Sequence, residues 1–487
     1  MSRINTNVSA LVSQNSLARS NADLQTRLQR LSTGLQINRG ADNPAGLIVS
    51  ERLRSEIQGV STAIGNSQRA SNVIATAEAA LAEVSDLLNS IKGLVVEAAN
   101  TGAFSDAEIK ANQLQLDSAI ESITRISNTT SFAGLKLLNG SQDYITSGVN
   151  SSNIQDVRVY SANFGTQSSL PVTVEVLNSA EQGSLFLSTF SAATTSGQLL
   201  SSVTFEVTGT TGVQVFSFVS GTALSAVAFA VNQVSDSTGV TAALASATNP
   251  TSGLVLTSQG YGSDSFVSVR KLTGGSFLQS YDAKGGNNVQ RDGGEDVLAL
   301  VNGSLALGRG THLSLHSATM TLEMNLTVAA AQTLTTHSFS ITGGGANYQI
   351  GGSVNSGQQI GFGLKSVASS HLGNEALGFL SSVISGGENS LVAGSAREAS
   401  LIVDESIDQI SALRGRLGAF ERNTLQTAIR SQQIAMENLT TSESAIRDAD
   451  FAAETSAMSR AQILVSAGTS TLAISNSTAQ SVLQLLQ

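Results

Sequence analysis

The chain has 487 residues, with 26 Lys+Arg against 36 Asp+Glu and a formal net charge of −10. Only 13% of residues are charged, about half of an ordinary globular share of roughly 25%. An acidic, weakly charged surface argues against nucleic acid and against an electrostatically held membrane surface. The absence of Cys excludes disulfides, thiolate metal sites and Cys nucleophiles.

The opening MSRINTNVSALVSQNS carries one Arg and no continuous apolar core, so it does not read as a secretory signal. No stretch approaches 18 consecutive apolar residues, so neither membrane insertion nor a span is expected. Leu17, Asn21, Leu24, Leu28, Leu31 and Leu35 then step by 4 and 3, predicting a helix that breaks at Arg39-Gly40. Asn43 is a candidate cap for a second helix with Pro44 at its first position. That helix continues through Ile74, Ala77, Leu81, Val84, Leu88, Ile91, Val95 and Ala98. Ser105 and Glu108 form a capping-box pattern opening a third helix, with Leu116, Ile120, Ile123 and Ile126 inside.

Glycine marks a change of structure. Residues 1–140 hold 9 Gly, residues 391–487 hold 4, and the middle holds 32. Gly is costly inside helices and useful in turns, so the ends should be helical and the middle strands joined by tight turns. Val203–Val207 and Val213–Phe218 read as strands, Leu224, Val227, Val231 and Val234 as a short helix, and about 240–246, 253–258 and 265–271 as further strands. A second β-rich stretch covers about 295–385. Helical rhythm returns at Ala399, Val403, Ser406, Ile410, Leu413, Leu417, Phe420 and Thr424.

The fold class expected is therefore a multidomain α+β protein: helical coiled-coil or bundle arms formed by the two termini, with inserted β-rich outer lobes. The expected domains are 1–40 with 450–487, a terminal coiled-coil core; 41–165 with 390–449, a helical bundle with a β-hairpin; and two β-rich lobes at 166–290 and 291–389.

Neither Ile4–Ala18 nor Gln462–Gln487 contains a charge. Met458, Ala461, Val465, Gly468, Leu472, Ser475, Ala479, Val482 and Leu486 form one stripe, while Ile463, Leu464, Ile474, Leu483 and Leu485 lie off it. A helix apolar on several sides is normally buried on several sides. Ordering roughly 40 residues at each terminus costs about 1–2 kcal/mol of backbone entropy per residue. A buried aliphatic side chain returns roughly 1.5–3 kcal/mol, and about ten per arm do not balance the cost unless neighbouring molecules bury the other faces. The arms are expected to be disordered or frayed alone and ordered by homo-assembly. Interfaces at both ends of a subunit give head-to-tail contacts, and contacts that do not close make open helical filaments. The inter-subunit core expected from this pattern is Leu17, Leu24, Leu28, Leu31 and Leu35 from one arm, and Ile463, Leu464, Val465, Leu472, Val482 and Leu486 from the other.

The run Leu31-Ser32-Thr33-Gly34-Leu35-Gln36-Ile37-Asn38, followed by Asp42-Asn43-Pro44-Ala45-Gly46, resembles the N-terminal motif of bacterial flagellin. Ile446-Arg447-Asp448-Ala449-Asp450-Phe451, Ala461-Gln462-Ile463-Leu464 and Ala467-Gly468-Thr469-Ser470 resemble its C-terminal counterpart, and 203–271 is similar to a β-rich insertion found in many flagellins. The resemblance implies a subunit of the flagellar filament serving motility. Family membership would add an inner tube of paired termini, surface β lobes and a secreted, extracellular location. It would also imply export by the flagellar type III apparatus with a chaperone on the C-terminal arm, and assembly beside filament cap and hook–filament junction proteins. The alternatives are the junction protein itself, or a filament displaying adhesive or glycan-binding lobes. Where many flagellins offer an Arg-x-Arg-Glu-Leu run to Toll-like receptor five, this chain has Ser90-Ile91-Lys92-Gly93-Leu94. Only Leu94 is kept and Lys92 is similar, so the resemblance does not carry that recognition to Ser90, Lys92 and Leu94.

No enzyme, cofactor or metal is expected. His312-Leu313-Ser314-Leu315-His316 has i, i+4 spacing but lacks the Glu of H-E-x-x-H. It also alternates like a strand, which would separate the two imidazoles by about 13 Å. The other two histidines are His337 and His371. Gly343-Gly344-Gly345 reads as a turn, and Asp448 and Asp450 as a cap or salt-bridge pair.

Overall fold

A computed structural model describes residues 6–188, 197–246, 253–274, 279–282, 287–317 and 319–484, excluding the side chains of 479–484. The chain forms two compact units. One comprises residues 1–71, 349–358 and 420–487; the other comprises 72–348 and 359–419.

In the first unit, α1 runs Val8–Thr33 and is capped by Asn7, whose side chain accepts from Ala10 N at 3.0 Å. It stops at Gly34 (φ 73°), whose left-handed backbone closes the last turn on the Arg30 carbonyl. The helix thus ends five residues before the break expected at Arg39, and Leu35 lies beyond it in an isolated antiparallel bridge with Asp448. Next, α2 begins at Pro44 and reaches Ala98 in the second unit, with Asn43 Oδ1 accepting from Gly46 N at 2.9 Å as the capping pattern predicts.

The second unit continues with α3 (Asp106–Thr129), opened by a complete Ser105/Glu108 capping box. The backbone and side-chain donors of Ser105 hold the Glu108 carboxyl below its ordinary range. Buried side chains recur at 3/4 spacing along these helices: Ile74, Leu81, Leu88 and Ile91 on α2, and Leu116, Ile120 and Ile123 on α3. Then come β1 (Ser131–Phe132), β2 (Leu135–Lys136), β3 (Tyr144–Ser147), β4 (Ile154–Ala162), β5 (Leu170–Asn178), β6 (Ser184–Ser188), β7 (Val203–Thr208) and β8 (Val213–Phe218). Helices α4 (Leu224–Asn232) and α5 (Ser235–Thr238) precede β9 (Val240–Leu244), β10 (Leu254–Ser258), β11 (Phe266–Thr273), β12 (Gln279–Asp282) and β13 (Arg291–Gly293). Finally β14 (Leu298–Val301), β15 (Ser304–Arg309), β16 (His312–His316), β17 (Met320–Leu326), α6 (Val328–Gln332) and β18 (Thr336–Gly344) lead to α7 (Ala396–Ala419).

Two four-stranded sheets, β12-β6-β10-β9 and β13-β11-β7-β8, share one core with α4, centred on Phe205, Leu185, Leu187 and Val231. An eight-stranded sheet in the order β3-β18-β5-β14-β15-β16-β17-β4 carries another core around Val172, Val174, Leu313 and Leu322. Its strands come from both sides of the divisions expected at 165/166 and 290/291, because β4 pairs with β17 and β5 pairs with both β14 and β18. Antiparallel pairing alone joins these segments, and period-2 patterning does not reveal which strand a given one will choose.

Helix α7 is tied to this sheet by charge and an aromatic ring. Glu323 on β17 accepts from Tyr160 Oη at 2.9 Å and pairs with Arg416, whose guanidinium lies 3.7 Å over the Tyr160 ring. Burial, reinforced by the Glu323 charge, pushes the Tyr160 phenol up to about 12. Asp156 pairs with Arg158 at 2.7 Å and Lys365 at 2.9 Å. Burial raises its carboxyl, but the two cations outweigh that and leave it below the ordinary range.

A π-helical turn, Phe420–Leu425, follows α7, and α8 (Gln426–Arg447) and α9 (Phe451–Gln484) complete the first unit. Among the described residues, no helix is long and apolar enough to cross a membrane. None of the groups of His, Asp and Glu among them could hold a metal ion.

Candidate assembly surface

Helices α1 and α9 pair along their lengths, where sequence reasoning expects arms ordered only by assembly. Contacts at three levels along the pair mark its register. Asn7 Nδ2 donates to the Ser475 carbonyl at 3.0 Å. Gly468 sits against Leu17, so close that a Cβ built there would lie 3.2 Å from Leu17 Cδ1. Arg27 and Arg30 reach Glu454 at 2.9 and 3.3 Å. That hydrogen bond from Arg27 to Glu454 is the main cause raising the guanidinium above its ordinary value.

Each arm thus covers one stripe of the other. On α9 the stripe read from sequence is the covered one: Met458, Val465, Gly468, Leu472 and Ser475 are half-buried and Ala461 fully buried, with Glu454, Thr455 and Ala457 also covered in the first turns. The rest stays open. Among the described residues α1 has no fully buried side chain, and neither does α8. Leu17, Leu24 and Leu31 are half-buried and Leu28 is 48% exposed. Leu35 is half-buried in its bridge. Ile463 is 68% exposed and Leu464 50%. Leu486 and the side chain of Val482 lie outside the described residues. Val8, Leu11, Val12, Phe451 and Ile474 add further exposed apolar groups to the same two helices. A single chain therefore leaves several of its apolar terminal side chains in water.

The bend between α1 and α2 is locally over-determined. The Asp42 carboxylate accepts from the backbone N–H groups of Asn38 at 3.0 Å and Arg39 at 2.8 Å. Those donors, Arg39 first, hold its pKa below the ordinary Asp value. Any side chain at Gly46 would press on Asn43 Nδ2 and Ile37 Cδ1, each 2.7 Å from a built Cβ. Across the bend, Gln36 N donates to the Arg447 carbonyl at 2.7 Å, Ala449 N to the Gly34 carbonyl at 2.9 Å, and Arg447 to Glu51 at 2.9 Å. The two motif runs are thereby neighbours, and Asp448 and Asp450 act locally: Asp450 Oδ1 accepts from the first-turn amides of Ala452 and Ala453.

Sequence reasoning missed the Arg27/Arg30–Glu454 cluster. Its signal was available: two Arg one turn apart on α1, and Glu454 as the only acid in the first turn of α9.

The remaining site expectations sit elsewhere. Lys92 donates to Ser400 Oγ at 2.7 Å and to Asp404, while Ser90 is exposed and Leu94 half-buried on α2. His312 and His316 are at opposite ends of strand β16, and His312 Nδ1 bonds Asn325 Oδ1 at 2.7 Å. Gly344, which ends β18, and Gly345 turn with φ of 85° and 76°, and Gly345 lies close on the Tyr144 ring.

Paired terminal helices with unspent apolar faces and β lobes inserted between them define a self-associating structural subunit. Residues 4–143 match the family described as the bacterial flagellin N-terminal helical region, 401–486 the bacterial flagellin C-terminal helical region, and 202–260 the flagellin hook IN motif. The chain is 29% identical to the B-type flagellin of Pseudomonas aeruginosa and 28% to a flagellin of Salmonella rubislaw, each alignment covering 99% of both chains. Among solved structures it is similar to a flagellar hook-associated protein-3 from Legionella pneumophila, at 12% identity over 80% of this chain and 97% of that one, with a TM-score of 0.30. The chain belongs to the bacterial flagellin family.

Proposed function

We propose that this chain is the repeating subunit of an extracellular flagellar filament, and that its contribution to motility is mechanical rather than enzymatic. The observation that carries the reading is the state of the terminal helices: in one copy, α1 buries no side chain fully, while Ile463 and Leu464 face water. At about 25 cal/mol per Å² of apolar surface removed from water, stacking copies around these arms recovers energy that a lone subunit forgoes.

In this reading the terminal segments 1–40 and 450–487 form the filament core. Leu17, Leu24, Leu28, Leu31 and Leu35 meet Ile463, Leu464, Val465, Leu472, Val482 and Leu486 of other copies there. The helices of 41–165 and 390–449 surround the core, and the β-rich region between them, whose eight-stranded sheet joins strands across 165/166 and 290/291, supplies the outer lobes. Secretion through a type III apparatus with an export chaperone, capping at the growing end, and a junction to the hook are the partners such a subunit requires. Heating purified protein mildly to depolymerise it, reseeding with fragments and imaging by negative-stain electron microscopy tests the reading. Long uniform filaments are expected; a preparation that stays monomeric at high protein concentration contradicts it.

A further inference from the structure

We infer that the outer face of the β14–β15 hairpin is a contact between the lobes of neighbouring copies, an inference that rests on the filament reading above. The hairpin reads Leu298-Ala-Leu-Val-Asn-Gly-Ser-Leu-Ala-Leu307. Asn302 and Gly303, at φ 49° and 77°, form the two-residue turn that favours positive φ at both positions. That turn fixes the register, with Leu300 opposite Leu305 and Ala299 opposite Ala306. With a side-chain period of 2, the register sends Ala299, Val301 and Ala306 inward, each fully buried. The leucines go outward.

This alternation is inverted. A sheet with one wet face ordinarily turns large apolar side chains to the core and polar ones to solvent. Here the inner face is small, Ala299, Ala306 and Val301, while the larger leucines face out: Leu307 is 69% exposed, Leu305 58% and Leu298 39%. Leu177, at a bulge in the neighbouring strand β5, is 43% exposed. Polar residues border the patch: Glu175 opposite Leu300, Ser314 opposite Leu307, and Arg309. An apolar centre with a polar rim is the anatomy of a protein interface.

The occupant follows from the area. These leucines expose roughly 300 Å², within the range of large monomer patches and well below the ~800 Å² per partner of a stable independent pair. A foreign protein arriving by diffusion would find too little surface to hold. A second copy of this chain does not need that much, because the arms already hold it alongside at an effective concentration in the ~mM range. The face is therefore suited to a contact that forms only inside the polymer.

The chain lacks Cys, so a single introduced thiol reports one position. Purified full-length Leu307→Cys and Leu305→Cys are labelled with a maleimide as monomer and as seeded filament, beside Gln214→Cys at an exposed position on β8. Sedimentation and electron microscopy first establish that filaments have formed; if none form, the filament reading itself fails. In filaments, labelling at 305 and 307 is expected to slow about tenfold or more relative to position 214, because a covered thiol loses access. Equal slowing at all three positions, or none, overturns the lobe contact and leaves the filament reading standing.

Discussion

Arg27 Nη1 of α1 donates to Glu454 Oε2 of α9 at 2.9 Å, joining positions 427 apart in the sequence. Arg30 approaches the other carboxylate oxygen at 3.3 Å, and Glu454 is itself buried. A buried carboxylate shared by two guanidinium groups is favourable only while both partners are in place, because either left alone is a desolvated charge. The cluster therefore fixes the register of two helices whose apolar contacts alone would permit sliding.

Glu454→Ala should weaken the α1–α9 pairing by about 1.5–3 kcal/mol, the range for hydrogen bonds to charged groups. Urea unfolding of the monomer followed by far-ultraviolet circular dichroism checks this. Glu454→Gln should lose less, since its amide oxygen still accepts from one Arg.

Leu28→Asp separates folding from assembly. Leu28 is 48% exposed in a single copy, so a charge there remains hydrated in the monomer. The same charge in a dry seam between copies costs several kcal/mol. Leu28→Asp should keep the monomer's melting profile and fail to sediment as polymer, whereas Leu472→Asp, in the half-buried stripe of α9, should fail to polymerise and also weaken the monomer's α1–α9 pairing. Normal polymerisation of Leu28→Asp would remove that residue from the seam.

Acid should loosen the bend between α1 and α2. The folded-state pKa of Asp42 is depressed by the amides of Arg39 and Asn38. The stabilisation is fully present above the unfolded Asp value and is lost as pH falls through the folded one. Amide exchange at Asn38 and Arg39 should accelerate only below the ordinary Asp range. In Asp42→Asn it should be fast at neutral pH and show no such acid step.

Removing the β region cleanly requires cutting where the chain crosses itself. Gln142 and Leu364 form an antiparallel bridge, with Leu364 N donating to the Gln142 carbonyl at 3.0 Å. Joining 142 to 364 through a short Gly linker should give a soluble protein that still polymerises. A cut at about 170–385 should aggregate instead. It strands β3 and β4 without β18 and β17, and deletes Leu380 and Val383, both fully buried. Expression yield and gel filtration of the two deletions decide the matter.

Much of this was legible beforehand, for local reasons. Asn43-Pro44 and Ser105/Glu108 are short-range capping signals and open helices where they stand. The stripe through Ala461, Val465 and Gly468 is a period that survives any context. Strand β7 alternates strictly and pairs with β8 across a turn bounded by Gly209 and Gly212. What the sequence hid is non-local or inserted. Gly34, not Arg39-Gly40, ends α1, because a single left-handed residue suffices. The π turn at Phe420–Leu425 interrupts an unbroken 3/4 rhythm without a Pro or Gly inside it. The pairing of β4 with β17, some 160 residues apart, leaves no trace in either strand's composition.

Hydrogen–deuterium exchange of α1 and α9, compared in dilute monomer and in seeded filament, tests the central claim most directly. Open apolar faces and an absence of buried side chains in α1 predict rapid exchange in the monomer and strong protection in the filament. Equal and strong protection in both states would show that one copy satisfies its own terminal helices, and the account of why copies assemble would be contradicted.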